Sequence, residues 1–243
     1  MLRPLALAML LATPAAATPP QVVTATDTAF GITATHLFVL RRVTDNRGLY
    51  TTTATQTHLV SIRLENGRTD TIWPVYGFLE EDGADGTPEG GATAEVMPLP
   101  GAVDPFAVLA HAGARHVAPT EDFPADATLD AEGLRIEAPD GAIHALDAEP
   151  LFARMRDGLD RFATALPPDS ILNGLSGFGE PTGAFLAQTA LTSSSCNVAA
   201  IVRIRPLLTW NAALIARVRC GDEEEPGIVD ILTPVPQVAP PPG

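Results

Sequence analysis

Lysine is absent from this chain, and its absence excludes several kinds of chemistry. All 15 basic residues among the 243 are arginine. Lysine forms the Schiff bases of amine catalysis and contacts the phosphates in P-loop proteins, so neither mechanism is available here. The 29 acidic residues outnumber the arginines and give a net charge of −14. Such an acidic chain repels nucleic acid and anionic membrane surfaces, and we expect neither as a partner.

Long apolar runs are also missing after the N-terminus. No later segment reaches the roughly 18 apolar residues that a membrane-spanning helix requires. The N-terminus has a positive start at Arg3, an apolar run over 5–12 and small residues at 15–17. This is the layout of a secretory signal peptide over residues 1–17, with cleavage expected after Ala17. The sequence therefore predicts a soluble exported protein without a transmembrane segment, and its alanine-rich, lysine-free composition indicates the bacterial periplasm.

Cysteine is scarce, with only Cys196 and Cys220 in the whole chain. Two cysteines in an exported protein most simply form one disulfide bond. The stretch between them can form an antiparallel hairpin about a turn centred at Leu208, in which the cysteines face each other and an apolar set shares one face. The opposite face then carries a group of cations that is the best candidate contact surface: Arg203, Arg205, Arg217 and Arg219.

Recognisable catalytic and cofactor motifs are missing as well, and we predict neither a catalytic residue nor a bound cofactor. Of the predicted loops, the glycine-rich loop at 174–183 has the composition most typical of a functional site, and Ser176 lies within it. A nucleophile elbow needs glycine two residues after the serine, but that position is Phe178. The glycine spacing of the loop also departs from the dinucleotide-binding pattern.

The five histidines contain no His-Glu-x-x-His zinc motif. One pair is a metal candidate, because His36 and His58 would be direct cross-strand neighbours in a hairpin centred on Arg47. Two adjacent imidazoles can bind a metal ion, but protein zinc sites use at least three protein ligands. The sequence identifies no third ligand for this pair.

Three strands are predicted near the N-terminus, over 34–43, 53–64 and 69–76. Asp45 to Gly48 forms the first turn, and Asn66-Gly67 is a strong signal for a two-residue hairpin turn. In the resulting registers one face of the meander is apolar, and its members are Phe38, Leu40, Val60, Ile62, Leu64, Trp73 and Val75.

One long helix is predicted over 149–166, since apolar residues recur there at steps of three and four. A shorter helix over 106–114, a hairpin from 134–137 and 142–146, and a last strand over 227–232 complete the prediction. The fold class is therefore α+β: mostly antiparallel sheet, with a meander and a disulfide-linked hairpin, and one principal amphipathic helix packed on it.

The domain organisation predicted for the mature chain is a single exported domain over 18–234, with possible subdomains at 22–78 and 130–234 and a proline-rich tail at 235–243. Two functions are compatible with these features. The first is a non-catalytic binding or envelope structural module with a protein or small-molecule ligand. The alternative is an exported hydrolase with its site near the loop at 174–183.

Overall fold

The computed structural model describes residues 20–49, 51–81, 93–117, 125–139, 141–166, 170, 172, 181–204, 213–221 and 227–236. These residues form a large mixed sheet, a small antiparallel sheet and three helices, which is an α+β architecture. The helices are α1 (Pro105–His111), α2 (Ala148–Ala165) and α3 (Thr182–Gln188). The strands are β1 (Val23–Ile32), β2 (His36–Asp45), β3 (Thr52–Arg63), β4 (Thr69–Glu81), β5 (Thr93–Met97), β6 (Arg115–His116), β7 (Asp126–Leu129), β8 (Gly133–Glu137), β9 (Ile143–Asp147), β10 (Cys196–Ile204), β11 (Ala213–Cys220) and β12 (Gly227–Val235).

The large sheet contains nine of the described strands, in the order β10-β11-β12-β1-β2-β3-β4-β5, with β6 also paired to β1. All neighbours in it run antiparallel except β1 and β12, which are parallel. The sheet is therefore mixed, because β1, which the sequence analysis missed, joins the meander to the C-terminal strand. Residues 22–78 and 130–234 both contribute strands to it. The predicted domain boundaries stay a prediction.

The large sheet divides along β1. The parallel pairing with β12 ends where Thr26 meets Asp230, and the far end of β1 pairs with β6 instead. At the point of division the buried carboxylate of Asp27 accepts a hydrogen bond from the Leu232 amide at 3.2 Å. A buried amide without an acceptor would be destabilising, so this side chain substitutes for the missing ladder bond.

The predicted long helix is present as α2, and its apolar stripe is buried against the sheets. Its first turn contains Pro150, which a helix tolerates only near its N-terminus. The stripe lies in one core cluster with residues of both sheets, and its members are Leu151, Met155, Leu159, Phe162 and Leu166. Each fully buried side chain of this size stabilises the fold by about 1.5–3 kcal/mol.

The register between β2 and β3 differs from the predicted one. The sequence placed His36 opposite His58, but His36 pairs with Arg63, five residues further along β3. The prediction is wrong because the connection from Asp45 to Thr52 is longer than the turn at 45–48 that the sequence suggests. Loop length and turn type set the register of a hairpin.

The register between β3 and β4 also differs from the one a two-residue turn at Asn66-Gly67 would give, since Trp73 lies opposite Leu59 rather than Val60. The two shifts change which apolar residues share a face, because an odd displacement moves side chains to the other side of a strand. The seven residues predicted on one face therefore divide between two clusters. Those that pack with the buried Leu59 are Phe38, Leu40, Trp73 and Val75. Those that pack with the buried Leu37 and Val39 are Val60, Ile62 and Leu64.

The predicted disulfide is present and links β10 to β11. Cys196 lies opposite Cys220, with the two Cα atoms 4.0 Å apart, and Val198 lies opposite Val218. A β-bulge between Val198 and Ala200 then adds one residue to β10. Beyond the bulge the side chains of β10 point to the opposite faces from those predicted.

The shorter predicted elements are present as well. Asp104 caps α1, since its carboxylate accepts a hydrogen bond from the Phe106 amide at 2.9 Å. The hairpin predicted near 140 corresponds to β8 and β9, and the last predicted strand corresponds to β12 beside β11. None of the helices in the described ranges combines the length and the apolar character needed to cross a membrane.

Candidate functional site

An open cleft lies where the β1–β2 turn, the β3–β4 turn and the end of β12 meet. Its volume is about 560 Å³. Each of the three segments contributes to its walls, and the lining residues are Ala34, Thr35, His36, Arg63, Leu64, Glu65 and Pro236. The cleft therefore combines two cationic or protonatable side chains, one carboxylate and a few small apolar surfaces.

A hydrogen-bonded network forms the polar wall of the cleft. The Nε atom of Arg63 donates to both carboxylate oxygens of Asp70, at 2.8 and 2.7 Å. His36 Nε2 lies 2.8 Å from Asp70 Oδ2, and His36 Nδ1 lies 2.9 Å from the hydroxyl of Thr35. The observed register produces this arrangement, because His36 and Arg63 are cross-strand partners and the Asn66-Gly67 turn returns Asp70 beside them.

The network keeps Asp70 ionised. Partial burial alone would raise the pKa of the Asp70 carboxyl, but the hydrogen bonds from Arg63 and His36 outweigh this and hold its pKa below the ordinary value. The same hydrogen bond and the Asp70 charge raise the pKa of Arg63. The side chain of Arg63 is 51% exposed and that of Asp70 27%. A fixed carboxylate thus orients a guanidinium that remains accessible to solvent.

The network includes a hydroxyl, an imidazole and a carboxylate, which in principle form a proton relay. Acyl transfer also requires donors that stabilise an oxyanion, usually backbone amides. The amides of Thr35 and His36 both donate to the hydroxyl of Thr33, at 3.2 and 2.9 Å. Because these amides are already occupied, the arrangement suits ligand binding better than acyl transfer.

His36 and His58 do not form a metal site together. His58 pairs with Arg41, well along β3 from His36, and is only 3% exposed. Its ring packs edge-on against Phe162, with centroids 4.8 Å apart. Burial, and secondarily the charge of Arg41, lowers the pKa of His58 to about 4. Within the described ranges, no three His, Cys, Asp or Glu side chains gather closely enough to hold a metal ion.

The predicted arginine surface is divided. Beyond the bulge in β10, Arg203 lies on the opposite face of the hairpin from Arg217 and Arg219. Arg217 is also bound within the chain, since its Nη1 lies 3.2 Å from Asp230 Oδ2. Arg205 lies outside the described residues. The prediction of one shared cationic face is therefore wrong for the three arginines that are described.

The predicted glycine-rich loop lies mostly outside the described residues, since 174–180 are among those left out and Ser176 with them. Its last residues begin α3. Thr182 is fully buried there and donates to Asp45 Oδ2 at 2.5 Å and to the carbonyl of Leu172. This hydroxyl holds α3 against the end of β2.

Buried charges are what the sequence analysis missed most clearly. Asp27 and Arg41 form a bidentate pair, with donor–acceptor distances of 2.8 and 2.9 Å, and Asp45 lies 3.4 Å from Arg47 Nη1. All four side chains are at most 2% exposed. Strand alternation could have placed Asp27 among the inward positions of β1, but only if β1 itself had been recognised.

Comparison of the chain with models of protein families, with curated proteins and with solved structures finds no match. The fold and the site therefore define the protein only by its class, which is an α+β protein with a mixed sheet and an open polar cleft at one end of that sheet.

Proposed function

We propose that this chain is an exported, periplasmic binding protein that holds a small ligand in the cleft at the start of β2. The observation that carries the proposal is a cleft of about 560 Å³ lined by His36 and Arg63, both of which are bonded to Asp70. Ligand sites are concave and contain a few well-placed polar groups. A purely structural envelope role would not require an oriented but accessible guanidinium.

The chemistry of Arg63 supports a ligand that carries a carboxylate or a similar oxyanion. Its Nε is bound to Asp70, whereas no described residue accepts a hydrogen bond from its terminal nitrogens Nη1 and Nη2. A guanidinium recognises planar oxyanions through two parallel hydrogen bonds. The apolar walls at Leu64 and Pro236 suit a short hydrocarbon portion of the same ligand.

Binding is preferred to the alternative of an exported hydrolase with its site near the loop at 174–183. In the described part of the cleft, the hydroxyl next to an imidazole is that of Thr35. The neighbouring backbone amides, those of Thr35 and His36, already donate to the Thr33 hydroxyl and so do not form an oxyanion hole. A broad esterase, peptidase and glycosidase screen addresses the alternative directly. Turnover that persists in a Ser176→Ala variant would remove that loop serine from consideration.

The cleft is tested by ligand-observed NMR with a set of small mono- and dicarboxylates and matched amines. We expect carboxylates to bind and the Arg63→Gln variant to lose at least about tenfold in affinity, since a charged hydrogen-bonding group is removed. Arg68→Gln is the matched control, because Arg68 is exposed in the same turn but does not line the cleft. Equal affinities of the two variants, or no carboxylate binding at all, would contradict the proposed site.

Export is tested separately by expressing the full chain in a bacterial host and measuring the mass of the protein in the periplasmic fraction. We expect a mature chain that begins at Thr18, because the small residues at 15–17 suit signal peptidase. A cytoplasmic product that retains residues 1–17 would contradict export without bearing on the cleft.

A further inference from the structure

Among the described strands, the first half of β4 has a partner on one side only and is an open sheet edge. β5 pairs only with Gly77–Glu81, so no described strand covers β4 from Thr69 to Tyr76 on the side away from β3. The carbonyl of Pro74 accepts a hydrogen bond from the Val103 amide at 2.9 Å, on this outer side. Proline is tolerated in a strand where its nitrogen faces away from the neighbouring strand.

The backbone of Ile72 is directed to the same outer side. The N–H and C=O groups of alternate residues in a strand point to the same edge, so Ile72 faces outward with Pro74. The intervening Thr71 points inward, since its amide donates to Ser61 Oγ of β3 at 3.1 Å. No hydrogen bond to the amide or carbonyl of Ile72 comes from a described loop or turn residue on this outer side.

A groove runs beside this edge and is closed on its other side by α2. Its volume is about 440 Å³, and its lining residues are Thr69, Asp70, Thr71, Ile72, Asp160, Arg161, Thr164 and Ala165. The groove therefore has strand backbone on one wall and helix side chains on the other. An extended peptide that adds to a sheet edge requires this combination, because the edge supplies backbone hydrogen bonds and the groove contacts alternate side chains.

The charges along the groove favour a basic occupant. Asp160 is exposed, and no described cation lies within ion-pair distance of it. The one cation among the lining residues, Arg161, is already bound to Asp157 at 3.0 Å. Asp70 also lines the strand wall, but it is already bound to Arg63 and His36, so Asp160 is the carboxylate available to an occupant.

We propose that this groove binds an extended peptide segment of a partner protein that carries a basic side chain. The segment pairs with the N–H and C=O groups of Ile72 as an added strand. Its arginine or lysine contacts Asp160. The groove and the cleft lie on opposite sides of Asp70, which lines the groove and orients Arg63 and His36 in the cleft. The groove provides a route by which an exported binding protein can engage another protein.

The backbone pairing is tested with an acetylated and amidated heptapeptide of alternating valine and threonine with one central arginine. Binding to the full chain is measured by fluorescence anisotropy for two variants, Ile72→Pro and Ile72→Ala. Both variants lose the isoleucine side chain, but only proline loses the outward N–H. We expect affinity for the peptide to be at least about fivefold lower in Ile72→Pro than in Ile72→Ala, as the loss of one hydrogen bond implies.

The charge preference is tested with Asp160→Asn and with a peptide that has glutamate in place of arginine. We expect Asp160→Asn to weaken binding of the arginine peptide severalfold and the glutamate peptide to bind more weakly than the arginine peptide. Amide hydrogen exchange provides a second measurement, in which the arginine peptide protects the Ile72 amide in the unmodified chain.

Three results would overturn the proposal. These are no binding of the arginine peptide at millimolar concentration, equal affinities in Ile72→Pro and Ile72→Ala, and equal binding of the two peptides. If Ile72→Pro fails to fold, amide hydrogen exchange in the unmodified chain replaces it. The proposal is then overturned if the arginine peptide leaves the exchange rate of the Ile72 amide unchanged.

Discussion

Asp27 and Arg41 form a buried ion pair at the place where the large sheet divides, and each has further contacts there. Asp27 also accepts the Leu232 amide, while Arg41 reaches the carbonyl of Gly158 in α2 at 3.4 Å. Removing charges from water is costly, and such a pair is tolerated only when its remaining polar atoms are bonded. The two residues therefore connect β1, β2, β12 and α2 through one polar centre.

We predict that Asp27→Asn lowers the free energy of unfolding by about 3–5 kcal/mol, because it leaves the Arg41 charge buried without a counter-charge. Urea denaturation measures this change. The control is Asp157→Asn, which removes an exposed partner from Arg161 and should cost about 0.5 kcal/mol or less. Similar losses in the two variants would show that burial of the first pair has no energetic consequence.

His58 makes the stability of the protein depend on pH. Its pKa falls from an ordinary value of 6.5 to about 4 on folding, so the unfolded chain binds the extra proton between these values. The contribution is fully present above pH 6.5 and is lost as the pH falls toward 4. Linkage then predicts a loss of about 3 kcal/mol across this window from this residue.

The measurement is the free energy of unfolding between pH 4 and 7 for the parent chain and for His58→Phe, which cannot take up the proton. We expect a smaller decrease in the variant, by about 3 kcal/mol. His111→Gln serves as the control, because His111 is exposed in the last turn of α1. A pH dependence of His58→Phe equal to that of the parent would contradict the prediction.

At the scale of elements, the β10–β11 hairpin is determined by its disulfide at one end and by the bulge in its middle. The disulfide was predictable, because the expected export, the presence of two cysteines and one hairpin register all favour it. The bulge was not, because Ala199 and Ala200 are equally suited to either face of a strand. The single extra residue in this alanine pair places Arg203 on the opposite face of the hairpin from Arg217.

We predict that the double variant Cys196→Ala/Cys220→Ala is about 3 kcal/mol less stable in urea than the oxidised parent. The bridge closes a chain separation of 24 residues, and the loop-entropy model gives this magnitude. Thiol titration supplies the control: the native chain should show no reactive thiol, and the reduced and unfolded chain two. Two reactive thiols in the native chain would contradict the disulfide.

At the scale of the whole molecule, sequence patterns predicted the elements better than their arrangement. The periodic stripe of α2 is a local signal, and it is confirmed. A turn is also present at Asn66-Gly67, but it is closed by the hydrogen bond from the Arg63 amide to the Arg68 carbonyl, so it is longer than the predicted two-residue turn. The β2–β3 register was not predictable, because both faces of these strands are apolar and either alignment buries them. The candidate site was missed for the same reason, since the cleft network depends on His36 pairing with Arg63 rather than with His58.

The parallel pairing of β1 with β12 was also beyond sequence reasoning, because its partners are about 200 residues apart. We predict that deletion of 227–243 abolishes cooperative unfolding, since the large core cluster loses Val229 and Ile231 and two strand edges are exposed. Circular dichroism during urea denaturation measures this. A cooperative transition in this deletion variant would contradict the role of β12.

The position of β12 between β11 and β1 has a consequence for biogenesis. β12 is an interior strand of the sheet and follows every other described strand along the chain, so the meander and the hairpin have no shared partner until β12 has been synthesised. Sheets built from such distant contacts form slowly. We therefore expect the meander and the hairpin to remain separate units in the nascent chain until β12 joins them.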